Sequence, residues 1–445
     1  MLASMRGAFF GLVVALGAGC GRSELPVPPV ERLHCEVSEP WERVLPGRGV
    51  VNALAYGGGY LVSGPVGQPQ SGDTGVLRMA GDGSSSWDAT LKQRWSAILA
   101  DGRGIVVAGS IGGSPDIEVV GLSEAGAIEW TTKVATEGED SARFLLRDDD
   151  AVVIVGSSSN YGPSATRVLV ARVRPSGVEW IRTFRPMFMG GMFQPEQLPF
   201  GAFIDAAGRV VVGSKRWLNG GGGPIDVFAV DRQGTVAWQY LDGVAYERGG
   251  ASLVVPLADG GSLVSGSLPN KGFSGPTRLV RLNGQGQAVW AALLSEGKNE
   301  QEMIQDAVEL ANGDLMLAGY SSASVAGRLW HLSPSGEVIA RADYPDAHGA
   351  IQFLRAMPGG GFFLASTQTE SLGAGAGFHS TWHFVRLDAA GALAWHQQTS
   401  GAGVTFLREI LRGDDGTIVA GGYFAGNDTF AGRVVRLDEE CHPVH

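Results

Sequence analysis

The side chains of this sequence that could react or bind a metal ion lie mainly near the two ends of the chain. The chain contains eight histidines and three cysteines, the latter being Cys20, Cys35 and Cys441. His34, His442 and His445 stand close to the last two cysteines, so a Cys₂His₂ zinc site is one hypothesis. A Cys35–Cys441 disulfide is the alternative, which we prefer because thiols of exported proteins tend to be oxidised.

A second histidine group occupies positions 379–396. Strand alternation predicts that His383 and His396 face each other across a hairpin, in register with Leu387 and Ala392, with His379 nearby. Such a pair can bind a metal ion or change its charge with pH. Ordinary packing of the two rings is the simpler interpretation, and we assign no metal site here.

Motifs of common catalytic chemistry are absent from the sequence. There is no Gly-x-Ser-x-Gly elbow, no phosphate-binding loop ending in Gly-Lys-Ser/Thr and no His-Glu-x-x-His. The glycine runs Gly220–Gly223 and Gly373–Gly377 precede no predicted helix and are interpreted as loops, and Asp148–Asp150 as a solvated hairpin tip. We therefore predict no catalytic residue and no cofactor.

The composition indicates a folded β-protein and excludes a polyanion binder. Of 445 residues, 44% are apolar and 68 are glycine, which fits short strands joined by tight turns. The net charge is −11, whereas nucleic-acid binders need a basic surface.

A pattern of four short strands, roughly 50 residues long, recurs along the chain. The second strand ends at a glycine in most repeats: Gly64, Gly109, Gly156, Gly213, Gly266, Gly319 and Gly421, with Ser366 in the seventh. A turn glycine precedes the fourth strand at Gly83, Gly126, Gly177, Gly234, Gly286, Gly336 and Gly391. The fourth strand carries a tryptophan, which we interpret as a blade-packing residue, at Trp41, Trp87, Trp130, Trp180, Trp238, Trp290 and Trp395.

These repeats predict an all-β fold, a β-propeller with eight four-stranded blades. The last repeat ends after its third strand at Leu437, and the chain begins with an unpaired fourth strand at Trp41–Leu45. We expect the N-terminal strand to close the last blade, which removes the exposed sheet edges. The same register places Cys35 and Cys441 in one turn, within disulfide reach.

The segment from Arg386 to Trp395, Arg-Leu-Asp-Ala-Ala-Gly-Ala-Leu-Ala-Trp, resembles the blade turn of PQQ-type quinoproteins. It is also similar to the outer-membrane assembly lipoprotein of the BAM complex and to seven-bladed propeller repeat lipoproteins. The resemblance implies the fold. Quinoprotein dehydrogenases also use adjacent cysteines and calcium-binding acidic and amide residues, and no vicinal cysteine pair is present, so no quinone cofactor is expected.

The N-terminus has the pattern of an export signal. Arg6 precedes an apolar run, Gly7–Gly19, that is too short to span a bilayer. Leu16-Gly17-Ala18-Gly19-Cys20 resembles the lipobox of bacterial lipoproteins, except at Gly17, and the resemblance implies that Cys20 is lipidated. An ordinary cleaved signal with an incidental cysteine is the alternative. We predict a signal peptide at 1–19, a Pro-rich tether at 20–34, a propeller domain at 35–445, and an outer-membrane location.

Long segments after the second and fourth strands predict where function resides. Since strands alternate in direction, the predicted loops 185–199, 214–224, 268–276 and 367–380 share one face, where binding usually occurs. Candidate contact residues there are Met187, Phe188, Met189, Met192, Phe193, Lys215, Arg216 and Trp217. We expect a non-catalytic binding or scaffold protein that engages a protein or envelope component through this long-loop face. The alternatives are a hydrolase, lyase or quinone-dependent enzyme that uses the central channel, and a purely structural envelope protein.

Overall fold

The computed structural model describes 42–437, except for 47–48, 67–72, 112–113, 160–165, 185–195, 219–220, 243–249, 268–276, 295–301, 322–325, 358–359, 372–377, 403, 413–417 and 426–429. The strands before residue 294 are β1 (Glu42–Pro46), β2 (Asn52–Tyr56), β3 (Gly59–Val66), β4 (Asp73–Ala80), β5 (Ser85–Leu91), β6 (Gln93–Asp101), β7 (Gly104–Ile111), β8 (Ile117–Leu122), β9 (Ile128–Val134), β10 (Glu139–Asp148), β11 (Ala151–Ser159), β12 (Thr166–Arg174), β13 (Gly177–Phe184), β14 (Glu196–Ile204), β15 (Val210–Leu218), β16 (Gly221–Val230), β17 (Val236–Asp242), β18 (Gly250–Pro256), β19 (Ser262–Ser267), β20 (Thr277–Leu282) and β21 (Ala288–Leu293).

The remaining strands are β22 (Glu302–Glu309), β23 (Leu315–Ser321), β24 (Ala326–Leu332), β25 (Val338–Tyr344), β26 (Ile351–Ala356), β27 (Phe362–Ser371), β28 (Phe378–Leu387), β29 (Leu393–Ala402), β30 (Val404–Arg412), β31 (Ile418–Ala425) and β32 (Phe430–Leu437). A 3₁₀ turn, Pro345–Ala347, follows β25. Within the described ranges no helix is long and apolar enough to cross a membrane.

The strands form eight four-stranded antiparallel sheets, the blades of a β-propeller, which confirms the predicted fold class. Blades one to seven each contain four consecutive strands and begin at β2, β6, β10, β14, β18, β22 and β26. The eighth has the order β1-β32-β31-β30, with Glu42 paired to Val435 and Leu45 to Gly432. The N-terminal strand therefore completes the last blade as predicted, although Trp41 itself lies outside the described residues.

The chain comprises two compact units: a larger one with blades one to five and eight, and a smaller one with blades six and seven. In the larger unit, the first strands of successive blades contact one another in the order β30, β2, β6, β10, β14 and β18. In the smaller unit, the first strands β22 and β26 are likewise in contact. We call the edge of each unit that these first strands form its inner edge.

Both faces of a blade are buried in the larger unit, which explains the apolar second strands. In β11, Val152 and Ile154 pack in a cluster with blade two, whereas Val153 and Val155 pack in a cluster with blade four. Alternate residues of a strand point to opposite faces, so a strand between two neighbours must be apolar at every position. Each fully buried valine or isoleucine stabilises the fold by roughly 1.5–3 kcal/mol.

Three repeat tryptophans of the larger unit contact the turn glycine of the following blade: Trp87, Trp180 and Trp238. A Cβ atom at Gly286 would lie 2.3 Å from the ring of Trp238, and this glycine has φ +74°, a conformation that L-residues avoid. A Cβ atom at Gly234 would lie 3.0 Å from the ring of Trp180, whose indole donates a 2.8 Å hydrogen bond to the carbonyl of Arg232 in that turn. Two positions that recur separately in the sequence are thus contact partners in consecutive blades.

Candidate functional site

The first strand of nearly every blade contains a β-bulge opposite the glycine that recurs in the second strand. In the third blade, Ala142 pairs with Gly156 and Phe144 with Val155, so that Arg143 is an additional residue on the first strand. A Cβ atom on Gly156 would lie 1.9 Å from the carbonyl oxygen of Ser141, which explains why glycine is required. Bulges redirect side chains and are frequent next to functional sites.

The same bulge recurs at the inner edge, but the side chain at the extra position differs from blade to blade. The extra residues are Arg143, Phe200, Ser252 and Arg408 in the larger unit, and Gln305 and Gln352 in the smaller one. In the second blade the bulge falls between Arg94 and Ala97. Because a first strand runs from the interblade connection to the short first turn, the bulge lies near the end of the blade that carries the second loop.

Arg408, on the eighth blade, is oriented by two aromatic rings. Its guanidinium lies 5.2 Å from the ring centre of Phe406 and 5.4 Å from that of Tyr423, and donates a 3.0 Å hydrogen bond to the Tyr423 hydroxyl. The two rings contact each other at 5.0 Å. Phe406 is 39% exposed, so the platform that supports the arginine remains open to solvent.

Arg143, on the third blade, is exposed to solvent but surrounded by protein at its charged end. Burial of the guanidinium lowers the pKa of Arg143, and the positive charge of Arg408 lowers it further. Among the described residues neither arginine forms an ion pair, and the guanidinium of Arg143 lies 5.8 Å from the ring centre of Phe144. Arg143 and Arg408 therefore stand on the inner edge of the larger unit without a carboxylate partner in the part of the chain that the structure describes.

The corresponding positions in the smaller unit are neutral. Gln352 accepts a 3.0 Å hydrogen bond from the Thr367 hydroxyl. Asp306, which follows the bulge residue Gln305, accepts hydrogen bonds from the backbone N–H of Leu354 and from Arg355, at 2.9 and 2.6 Å. Here the carboxylate and the arginine neutralise each other and connect blades six and seven.

A histidine cluster occupies the seventh blade of the smaller unit. His383 on β28 is 2% exposed, and its Nδ1 lies 3.1 Å from Nε2 of His396 on β29. Its Nε2 lies 3.2 Å from Oε1 of Gln368, whose amide nitrogen donates to Glu370. The ring of His348 lies 4.7 Å from that of His383.

These contacts determine the protonation state of His383. Because Gln368 Oε1 only accepts, Nε2 of His383 carries the proton, and Nδ1 accepts a hydrogen bond from His396. Burial lowers the pKa of His383 to about 4, aided by the charges of His348 and His396. His383 is therefore neutral at physiological pH, and a general base is most effective when its pKa lies near the working pH.

The structure corrects the predicted register of the two histidines. His383 pairs with Gln398 and His396 with Val385, because a bulge between Arg386 and Leu387 shifts the strands. The rings meet diagonally rather than directly across the hairpin. His379 lies on the same strand, paired with Ala402. No group of three or more metal-ligating side chains is placed to hold a metal ion in the described part of the chain.

The hairpin tip at 148–150 is also not fully solvated. Asp148 is 4% exposed and accepts a 2.8 Å hydrogen bond from Nε of Arg172. Arg172 also pairs with Glu179, and Arg232 of the next blade reaches Asp148 at 3.0 Å. This turn therefore connects blades three and four through an ion pair whose carboxylate, Asp148, is buried.

Of the predicted long-loop residues, the described ones lie in strands. Lys215, Arg216 and Trp217 belong to β15, and Trp217 pairs with Gly222 of β16, so the predicted loop at 214–224 is instead mostly a long hairpin. The predicted loop at 367–380 is shortened in the same way by β27 and β28. Several predicted residues fall outside the described ranges: Met187, Phe188, Met189, Met192, Phe193, Cys20, Cys35, Cys441, His34, His442 and His445.

The arginine pair was not predicted from the sequence, although a signal for it exists. Leu407 and Ile410 are both buried and three positions apart, and so are Ala142 and Leu145. A regular strand buries residues two or four positions apart, so an interval of three indicates a bulge between them.

No family model and no curated protein matches this chain. Three solved structures that resemble this chain have low sequence identity to it. Hydrazine synthase of Kuenenia stuttgartiensis is 12% identical, with 72% of this chain and 93% of that one covered, at a TM-score of 0.44. A puromycin-hydrolysing peptidase of Mycobacterium tuberculosis is 14% identical, with 85% and 58% covered, at 0.47. Polysaccharide lyase Uly1 is 11% identical, with 88% and 90% covered, at 0.46. Similarities this weak carry no argument about function.

Proposed function

We propose that this protein is an exported, lipid-anchored binding or scaffold protein of the bacterial cell envelope that acts without catalysis. The observation that supports this proposal is the contrast within the repeat. The packing positions keep their residue type in most blades, with Ser366 and Ala340 as exceptions, whereas the bulge position carries arginine, phenylalanine, serine or glutamine. A constant frame with variable side chains at one end is the arrangement expected of a recognition surface on a rigid scaffold.

The state of the buried histidine favours binding over catalysis in the seventh blade. Both ring nitrogens of His383 are engaged, and its pKa of about 4 leaves it neutral at physiological pH. Our preferred partner is a protein or envelope component that binds at the second-loop end of the blades. This is the end where the variable bulge residues lie, and we expect the partner to contact the β15–β16 hairpin there.

Partner binding can be tested by crosslinking in intact envelopes followed by affinity capture of the protein. Deletion of residues 216–223, the tip of the β15–β16 hairpin, is expected to abolish the crosslinked species. Gln233→Ala, an exposed residue in the short turn at the opposite end of the same blade, is the matched control. Retention of all partners after the deletion would contradict the proposal.

The anchor and the compartment have separate tests. Metabolic labelling with an alkyne fatty acid should label the wild-type protein, and Cys20→Ser should lose the label and release soluble protein. Mass spectrometry of the non-reduced protein should find Cys35 joined to Cys441, since an oxidising compartment favours this disulfide over two thiols. Two free thiols would contradict the export part of the proposal.

A further inference from the structure

The second, third and fourth strands of the seventh blade are longer than those of the sixth. β27, β28 and β29 have 10 residues each, whereas the corresponding strands β23, β24 and β25 have 7. The repeat positions Gly319 and Ser366 align the two blades, so the extra residues lie at the second-loop end. Part of the segment 367–380, predicted as a binding loop, therefore extends the sheet.

One face of this blade changes from apolar to polar toward the second-loop end. Leu364 and Val385 on this face pack in a common cluster with blade six. Alternate residues of a strand, and residues paired directly across strands, lie on the same side of a sheet. The face therefore continues with successive rows that we call the polar shelf: Ser366, His383 and Gln398; then Gln368, Thr381 and Ser400; then Glu370 and His379. The shelf holds hydroxyl, amide and imidazole groups and a single carboxylate.

Hydrogen bonds within the polar shelf fix the orientation of its side chains. Oε1 of Gln368 lies 3.2 Å from Nε2 of His383, and the amide nitrogen of Gln368 donates a 2.8 Å hydrogen bond to Glu370. The hydroxyls of Thr381 and Ser400 lie 3.0 Å apart. Because His383 is buried, this chain of hydrogen bonds begins in the protein interior and ends at the exposed Glu370. Groups that are already oriented lose little side-chain entropy when a ligand binds.

The chemistry of the polar shelf determines which ligand fits it. Gln398 and Ser400 are exposed, and the amide of Gln368 has a second N–H group to donate. A phosphate-bearing ligand would need arginine or lysine, and the core of a protein interface would need large apolar side chains; the shelf has neither. Sugar hydroxyls donate and accept hydrogen bonds without carrying charge, which matches the amides and hydroxyls of the shelf.

We propose that the polar shelf of blade seven binds an uncharged glycan chain, through hydrogen bonds between sugar hydroxyls and the side chains of Gln368, Gln398 and Ser400. Glu370 accepts from a further sugar hydroxyl and repels glycans that carry carboxylates or sulfates. The site lies in the smaller unit and does not use the β15–β16 hairpin that we assign to the envelope partner. Its failure would leave that assignment unchanged.

Isothermal titration calorimetry on the full mature chain tests the site, in a detergent without a sugar headgroup. Cellohexaose and chitohexaose are the uncharged probes, and hexagalacturonic acid, with a carboxylate on every sugar, is the charged control. We expect one saturable site for at least one uncharged probe and roughly tenfold weaker binding, or none, for the charged control, because like charges repel. Equal binding of the charged control, or no saturable binding of either uncharged probe at millimolar concentration, would overturn the proposal.

Gln398→Ala and Ser400→Ala should each weaken binding by roughly two- to tenfold, the effect of losing one uncharged hydrogen bond. Both side chains are exposed, so thermal melts of these variants should match wild type. Gln368→Ala removes a donor and the support of Glu370, and should weaken binding more than either. Thr131→Val, an exposed threonine on the fourth strand of blade two, is the matched control and should keep wild-type affinity. Wild-type affinity in both Gln398→Ala and Ser400→Ala would contradict the assignment.

Discussion

Two arginines of the third blade differ in their surroundings and therefore in what they do. Arg172 on β12 is 7% exposed; burial lowers its pKa, but the hydrogen bonds that Arg172 donates to Asp148 and Glu179 outweigh burial and raise the pKa above its ordinary value. Arg143 on β10 is exposed, has no carboxylate partner in the described structure, and has a lowered pKa. The paired, buried Arg172 joins strands of its own blade, whereas Arg143 has no carboxylate partner among the described residues.

The largest loss of stability is expected from breaking the buried Asp148–Arg172 ion pair. Asp148→Ala leaves Arg172 buried without its main partner and should lower the free energy of unfolding by about 3–5 kcal/mol. Urea denaturation measures this change. The double variant Asp148→Leu/Arg172→Met removes both charges and should recover part of the loss, and a change below about 1 kcal/mol in Asp148→Ala would show that the pair is dispensable.

The second-largest loss of stability is expected from removing a tryptophan that packs on the turn of the next blade. Trp238→Ala removes the indole that covers Gly286 and should destabilise the protein by roughly 3 kcal/mol, the lower end for a tryptophan deletion because the side chain is half-buried. We expect Trp217→Ala, near the tip of the β15–β16 hairpin, to change stability by less than about 0.5 kcal/mol and to weaken partner binding by about 2 kcal/mol. Thermal melts and envelope capture of both variants distinguish the packing role of Trp238 from the binding role of Trp217. Unfolding of Trp217→Ala would contradict the binding role.

The buried histidine extends the comparison to a group whose charge depends on pH. His383 has a pKa of about 4 in the folded protein against an ordinary value of 6.5. Between these values the unfolded chain takes up a proton that the folded chain does not. The contribution of neutral His383 to the free energy of unfolding is therefore fully present above pH 6.5. It falls by up to about 3 kcal/mol as the pH decreases to 4.

Urea denaturation of His383→Gln across this range should show a correspondingly smaller loss. His379→Gln, on the same strand but only half-buried, should keep the wild-type dependence. If His383→Gln and wild type lose stability equally between pH 6.5 and 4, the loss originates from other groups.

The smallest effect on stability is expected at the inner edge. Arg143→Gln should leave the free energy of unfolding within about 0.5 kcal/mol of wild type, or raise it slightly, because a repulsive charge is removed and no ion pair is lost. Measured beside Arg172→Gln, which should be strongly destabilising, this pair of variants tests directly whether the two arginines differ in role. A large loss in Arg143→Gln would make it a structural residue.

Much of the fold was predictable because each blade needs the same residue types at the same turns and close contacts. Gly156 and Gly286 stand where a Cβ atom would clash, so the glycine spacing reports the bulge and the turn in every blade. The orphan strand before residue 46 was assigned to the last blade by counting strands alone. The glycine run at 220–223 was interpreted as a loop because glycine disfavours strands, but Gly221 and Gly222 belong to β16 and pair with Leu218 and Trp217 of β15.

The sequence by itself determined the number of blades, their strands and the closure of the last blade, since these follow from local alternation and turn residues. Only the tertiary structure decided which charges are neutralised. Arg143 and Arg172 both stand in strands of one blade, and the residues beside them in the sequence do not show which arginine meets a carboxylate. Asp148 reaches Arg172 from 24 positions earlier, and Arg408 acts on Arg143 from another blade. Electrostatic interactions depend on distance in space, so they are set by how strands and blades pack and not by spacing along the chain.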